Sequence, residues 1–301
     1  MRTRTFPATA RAAVVLGTSA LLLAACGTDA ADDEATETDP AAEETAADEE
    51  AGGAEEAAGA ELTTIVIGAS PTPHAEILEF VEQNLAAEAG FTLEIVEYTD
   101  YVQPNVQLAE GELDANFFQH LPYFEAEVAE KGYDFVAFDG VHIEPYGVYS
   151  ESITAIADLP DGAQIGVPND PSNQARALQL LEAEGLFTLA DVENPTIFDV
   201  ADNPQNLEFA ELEAAQLVRS LQDFDAAVIN GNYALEAGLN PAQDAIVLES
   251  GEGNPYANLV AVRSEDAENE AILALDAALR SEETRAFFEE RWPDGEIIPA
   301  F

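Results

Sequence analysis

This 301-residue chain is short of cysteine, of lysine and of positive charge altogether. Its one cysteine, Cys26, has no second thiol to pair with, so no internal disulfide forms. Its one lysine, Lys131, belongs to a total of 10 basic residues standing against 60 Asp and Glu. That balance excludes nucleic acid as a partner, because phosphate binding draws on clustered Lys and Arg. It also excludes adhesion of the protein surface to anionic lipid headgroups. Codon bias alone would exchange lysine for arginine. Scarcity of both points to selection for an acidic surface, as in salty surroundings where charge is screened within ~3 Å at 1 M salt. Enzyme signatures are missing too: there is no GxSxG, no HExxH, no GxGxxG after a strand and no P-loop. The three histidines, His74, His120 and His142, lie far apart in sequence and show no metal-ligand spacing.

What is present begins at the N-terminus. Arg2, Arg4 and Arg11 precede an apolar run, Ala12 to Ala25, of about 14 residues, short of the ~20 that a membrane span requires. A basic region, a short apolar region and small residues before a cut describe a secretory signal peptide over residues 1–25. The string Leu23-Ala24-Ala25-Cys26 resembles the lipobox of bacterial lipoproteins, which implies a diacylglyceryl group on the Cys26 thiol. Cleavage there leaves seven basic and 60 acidic residues, a net charge of −53. From Gly27 to about Ala60 the chain is Ala, Glu, Asp, Thr, Gly and Pro without an aromatic or a basic residue. Such a stretch buries too little apolar surface to offset its ordering entropy, so residues 26–61 read as a lipidated cysteine and an acidic tether.

From Leu62 onward strands and helices alternate. Thr64–Gly68 reads as a buried strand, Pro73–Ala89 as an amphipathic helix, Phe91–Tyr98 and Ala115–Phe118 as strands, and Tyr123–Lys131 as a helix. The alternation restarts with a strand at Ala163–Pro168 and a helix for which Asp170 is the N-cap and Pro171 the first residue, stopping at Gly185. Strands at Leu207–Phe209, Ala226–Ile229 and Tyr256–Val262 follow, with one or two closing helices between Glu265 and Arg291. This is an α/β fold with a largely parallel sheet, divided into two lobes.

Three tracts concentrate groups able to hold a ligand. The first is Tyr101 with Asn116-Phe117-Phe118-Gln119-His120-Leu121-Pro122-Tyr123. Period two puts Asn116, Phe118 and His120 on one strand face, and ligands in open α/β sheets bind beyond strand ends. The plain alternative is that Phe118 and Tyr123 are core and His120 a satisfied imidazole. In the second tract, Asn173 and Arg176 project together from the first turns of a helix, a guanidinium fork for an anion assisted by the helix dipole. The alternative there is a salt bridge from Arg176 to one of the many acids. The third tract is Asn230 and Asn258, strand-end amides that suit a zwitterion or are simply turn residues.

Taken in order, GASPTPHAEIL (68–78), YTDYVQPN (98–105), GELDANFFQHLPY (111–123), VPNDPSNQAR (167–176), NPQNLEFAELEAAQLVRSL (203–221), VINGNYA (228–234) and NPYANL (254–259) resemble the methionine-binding lipoproteins of the NlpA type. The resemblance covers roughly residues 62–301. It implies a type II periplasmic-binding-protein fold with residues 62–148 plus 254–301 as one lobe and 149–253 as the other. It further implies capture of methionine or a close derivative by lobe closure, and delivery to the permease and ATPase of an ABC importer at the outer face of the cell membrane. Neither a catalytic residue nor a cofactor is implied. The family's aromatic wall falls on Tyr101, Phe118, His120 and Tyr123, and its polar clamp on Asn173, Arg176, Asn230 and Asn258, with Arg176 taking the ligand carboxylate bidentately. A net-neutral zwitterion also escapes repulsion by the acidic protein. Two other classes remain open at this point: a bilobal metal receptor using His120 and nearby carboxylates, and an enzyme on the same fold.

Overall fold

The computed structural model describes residues 62–301, so the expected signal peptide, Cys26 and the expected tether lie outside the described residues. Among the described residues no helix is long and apolar enough to cross a membrane. In chain order the strands are β1 (Thr63–Ala69), β2 (Phe91–Glu97), β3 (Ala115–His120), β4 (Phe135–Ala137), β5 (His142–Ile143), β6 (Gly147–Tyr149) and β7 (Gln164–Pro168). They continue with β8 (Thr188–Leu189), β9 (Val200–Asp202), β10 (Glu208–Leu212), β11 (Ala226–Ile229), β12 (Val247–Leu248), β13 (Ala257–Arg263) and β14 (Ile298–Pro299). Two main sheets result. One has the order β14-β5-β13-β3-β1-β2 with β4 alongside β13, the other β10-β7-β11-β6-β12; β8 and β9 form a separate hairpin.

Each sheet is covered by helices whose apolar stripes the sequence spells out. Ile77, Leu78 and Val81 from the helical run 73–89, with Leu275, Leu279 and Phe288 from the closing helices, pack on Ile65, Ile67, Val260 and Val262. Leu178 and Leu181 of the helix Pro171–Ala183 pack on Ile165, Val167 and Val228 of the other sheet. Each of these buried side chains contributes on the order of 1.5–3 kcal/mol. Local signals set the helix ends. Asp170 accepts the Asn173 N–H at 2.9 Å, so the expected cap and the Pro171 start are both found. Gly185 terminates that segment with φ +78°, a conformation costly for a side-chain-bearing residue. The closing region is two helices, Glu270–Leu279 capped by Asn269 and Glu282–Arg291 capped by Ser281.

The expectation of largely parallel sheets needs correcting. β1 runs parallel to β2 and β3, and β7 parallel to β10 and β11. However, β13 is antiparallel to β3, β4 and β5, and β6 is antiparallel to β11 and β12. The chain leaves the first sheet through β5 and β6 and returns through β12 and β13, and the strands that make these passages oppose their neighbours. β5, β6 and β12 are two or three residues long, too short for any hydrophobic period to register.

Candidate functional site

The two sheets meet around a small cavity. All eight residues singled out from the sequence line it: Tyr101, Phe118, His120, Tyr123, Asn173, Arg176, Asn230 and Asn258. Gln119, Glu144 and Gly231 line it as well.

The aromatic side is built at the end of β3. In the ladder with β13, Gln119 pairs with Leu259 and Phe117 with Val260, so Phe118 is an extra, bulged residue. The bulge breaks the alternation on which the shared face of Asn116, Phe118 and His120 rested. Asn116 instead enters a buried amide network, accepting from Gln119 Nε2 at 2.9 Å and donating to Asn105 Oδ1 at 2.9 Å. Phe118 and His120 remain at the cavity. His120 caps the helix Leu121–Lys131, its Nδ1 accepting the Tyr123 N–H at 3.2 Å. Its Nε2 must then carry the proton, which it donates to Asn173 Oδ1 at 3.2 Å. Tyr101, Phe118 and Tyr123 form a ring triangle with centroids 5.9–6.1 Å apart. Tyr101 OH donates to Asn232 Oδ1 at 2.6 Å, and Tyr123 OH to the Tyr101 carbonyl at 3.2 Å.

The polar side is more tightly tied. Asn173 Oδ1 accepts from His120 Nε2, from Tyr146 OH at 3.0 Å and from Asn230 Nδ2 at 3.0 Å, while its own Nδ2 donates to Asp170 Oδ1 at 3.0 Å. Arg176 sits between the rings of Tyr146 and Tyr256, 4.3 and 4.2 Å from their centroids. Its Nε donates to Glu249 Oε1 at 3.0 Å, and its Nη2 to Glu249 Oε2 at 2.5 Å and to the Glu144 carbonyl at 2.9 Å. Glu249 thus occupies the bidentate edge expected to meet a ligand carboxylate. Of the five guanidinium N–H groups, those on Nη1 alone have no protein acceptor among the described residues. At the start of the same helix Asp170 takes the Asn173 N–H, as its reading as the N-cap requires.

Sequence reasoning missed Glu144. Its Oε1 lies 2.9 Å from His142 Nε2 and 3.3 Å from His74 Nε2, and its Oε2 accepts the Asn232 N–H at 2.9 Å. Gly231 allows this close approach, since a Cβ there would stand 2.8 Å from Glu144 Cβ. Burial pushes the Glu144 carboxyl up, opposed by His74, the Asn232 amide and Arg176. Burial likewise holds His74 down at about 4 and both His120 and His142 at about 3. The His142 contact with Glu144 is therefore a hydrogen bond from a neutral imidazole, whereas the hydrogen-bond partner of His74 Nε2 is Asn258 Oδ1 at 3.1 Å. The His-x-Glu spacing of His142 and Glu144 was the available signal, but in a chain with 60 acids it did not stand out.

His74, His142 and Glu144 converge as a metal site would require. The two Nδ1 atoms, however, are buried without partners, whereas a metal-bound imidazole nearly always donates its other N–H to an acceptor. His120 stands outside the cluster with both ring nitrogens engaged. The reading of a metal receptor built on His120 is not supported.

A cavity walled by aromatic rings on one side and by amides and a guanidinium on the other, between two α/β lobes, defines a solute-binding protein of the type II periplasmic class. Residues 65–301 match the family model for the NlpA lipoproteins, and the chain belongs to that family. The methionine-binding lipoprotein MetQ of Bacillus subtilis is 42% identical over 241 residues, 78% of this chain and 87% of that protein. The D-methionine-binding lipoprotein MetQ of Escherichia coli K12 is 40% identical over 223 residues, 73% of this chain and 80% of that protein. A nutrient-binding protein from Burkholderia cenocepacia, solved bound to methionine, superposes with a TM-score of 0.76 at 43% identity, covering 79% of this chain and all of that one.

Proposed function

We propose that this protein captures methionine or a close derivative outside the cytoplasm and hands it to the permease of an ABC importer driven by its ATPase. The observation that carries the reading is the pairing, in one small cavity, of an aromatic triangle with a guanidinium whose Nη1 N–H groups meet no protein acceptor among the described residues. A thioether against Tyr101, Phe118 and Tyr123 gains ~0.3–1.5 kcal/mol per sulfur–ring contact beyond its apolar burial. The ligand carboxylate is held by Arg176 Nη1 with Asn230 and Asn258. The ammonium lies toward Glu144, whose ionised form it stabilises. Asn173 and His120 shape this wall more than they contact ligand, because their polar atoms are already committed to one another and to their neighbours.

In this reading residues 1–25 are removed on export, Cys26 carries the lipid that holds the protein at the outer face of the cell membrane, and residues 26–61 give it reach. Residues 62–148 with 254–301 form one lobe and 149–253 the other, and ligand bridges them so as to favour the closed state. Titration calorimetry with L- and D-methionine, their sulfoxide and unrelated amino acids is the test. Saturable binding of a methionine species alone is expected. Equal or stronger binding of an amino acid without sulfur would overturn the assignment.

A further inference from the structure

Behind the cavity wall, His74 touches no part of the cavity itself, yet it is buried between Phe117 and His142, 4.7 and 4.9 Å from their ring centroids. Its Nε2 lies 3.1 Å from Asn258 Oδ1 as well as 3.3 Å from Glu144 Oε1. Two facts set its tautomer. The Glu144 carboxylate, with Oε1 3.3 Å from His74 Nε2, repels a lone pair and favours a hydrogen on that nitrogen. The Nδ1 atoms of His74 and His142 meet no acceptor. A proton there would strand a buried N–H, which folded proteins rarely leave unpaired.

An Nε2–H on His74 in turn dictates the Asn258 amide. With Oδ1 toward His74 the contact is a hydrogen bond; with the amide reversed, two donors would face each other at 3.1 Å. Asn258 therefore keeps its oxygen turned inward. Its NH2, which has no protein acceptor among the described residues, belongs to the cavity that Asn258 lines. Asn258 is placed opposite His120 by the β3–β13 register, so the backbone fixes its position while leaving the amide's sense of rotation to its neighbours.

We propose that His74 is a positioning residue for the ligand's carboxylate: Glu144 sets its tautomer, and it pins Asn258 so that the amide presents donors, and no acceptor, to the bound solute. His142, on the same Glu144 oxygen at 2.9 Å, holds that carboxylate in place. The inference rests on the proposed capture of an amino acid. It adds a specificity device that no cavity-lining residue reveals by itself.

The test compares methionine with methioninol, in which the carboxylate is a CH2OH group, using the full-length lipoprotein in detergent. Wild type is expected to prefer methionine strongly. In His74→Phe, which keeps the ring packing, Asn258 is free to turn and the preference should fall roughly tenfold, the scale of one hydrogen bond to a charged group. His74→Gln retains an N–H donor and should recover most of the preference. An undiminished preference in His74→Phe, or a Gln variant no better than the Phe variant, overturns the proposal. Should the Phe variant not fold, nitrogen-15 NMR of the wild-type histidines decides: His74 protonated on Nε2 supports pinning, and protonated on Nδ1 refutes it. Wild-type protein that binds no amino acid would remove the proposed function, while the NMR result would still report on the tautomer.

Discussion

On the side of the seven-stranded sheet, Tyr101, Phe118 and Tyr123 offer ring faces to the cavity and carry their polar atoms away from it, to Asn232 and to a backbone carbonyl. On the side of the five-stranded sheet, Asn173, Arg176 and Asn230 meet the same space with polar atoms already bound to Tyr146, Asp170, Glu249 and each other. One wall is held by packing and can re-pack around a side chain. The other is held by hydrogen bonds of fixed direction and leaves only a few vacant positions. A receptor that must recognise a common amino-acid head and one particular side chain is served by this division. Rigid polar geometry reads the head, and deformable apolar contact reads the rest.

The largest effect that would sharpen this contrast is expected on the polar wall. Arg176→Met removes the remaining Nη1 donors and leaves Glu249, 14% exposed, without its partner. Methionine binding should fall more than a hundredfold, and stability should drop by about 3–5 kcal/mol as a buried pair is broken. Adding Glu249→Gln should restore much of the stability, read by thermal unfolding, while binding stays lost. Binding that returned with stability would show that Arg176 serves the fold alone.

Next comes Asn173→Ala, which takes the shared acceptor from His120 Nε2 and Asn230 Nδ2, while Tyr146 OH keeps Asn230 Oδ1 at 3.1 Å. At ~1–3 kcal/mol for each group left buried and unpaired, a loss of about 2–4 kcal/mol in denaturant unfolding is expected, since some donors will find water. On the aromatic wall, Phe118→Leu should weaken methionine about tenfold with less than ~1.5 kcal/mol of destabilisation, as apolar walls tolerate similar volumes. Equal penalties at Asn173 and Phe118 would erase the distinction between the walls.

A pH experiment probes the hydrogen-bonded region behind the polar wall. His142 is held at about 3 by burial, against 6.5 in an unfolded chain, so between those values the unfolded state binds the extra proton. Stability from keeping His142 neutral is complete above pH 6.5 and is lost as pH falls below it. Glu144, pushed up by burial, acts in the opposite sense, taking up its proton in the folded state first. Relative to His142→Gln, which shares the same acidic surface, wild type should therefore lose stability between pH 6.5 and 5, by ~1–2 kcal/mol. Parallel curves would show that His142 is not buried as described. The smallest effect belongs to Tyr233→Phe, which removes the hydrogen bond from Tyr233 OH to the Thr99 carbonyl at 3.3 Å across the cleft. Affinity should fall two- to fivefold, through faster ligand release.

Much of the fold was legible because its signals are local. Asp170-Pro171 marked a helix start, Gly185 its end, and the apolar runs at 64–68, 163–168 and 226–229 marked buried strands. The site was legible only as a collection of residue types. Its eight members lie between positions 101 and 258, and nothing short of the resemblance to a family said that they meet. The bulge at Phe118 escaped notice, because strict alternation is the default for a strand and a one-residue irregularity arises from the opposing strand. Glu144 and Glu249 escaped notice because acidic residues fill the chain, and their partners are up to 103 positions away.

By itself the sequence determined the chain's acidity, the lack of a disulfide, the alternating α/β pattern and the set of groups available to a ligand, all of which depend on composition or on neighbours within a few residues. The tertiary structure alone decided how those groups are spent. Hydrogen-bonding capacity is finite, and only the folded arrangement shows that Glu249 takes one edge of Arg176 and that His74 Nε2 stands against Asn258 Oδ1.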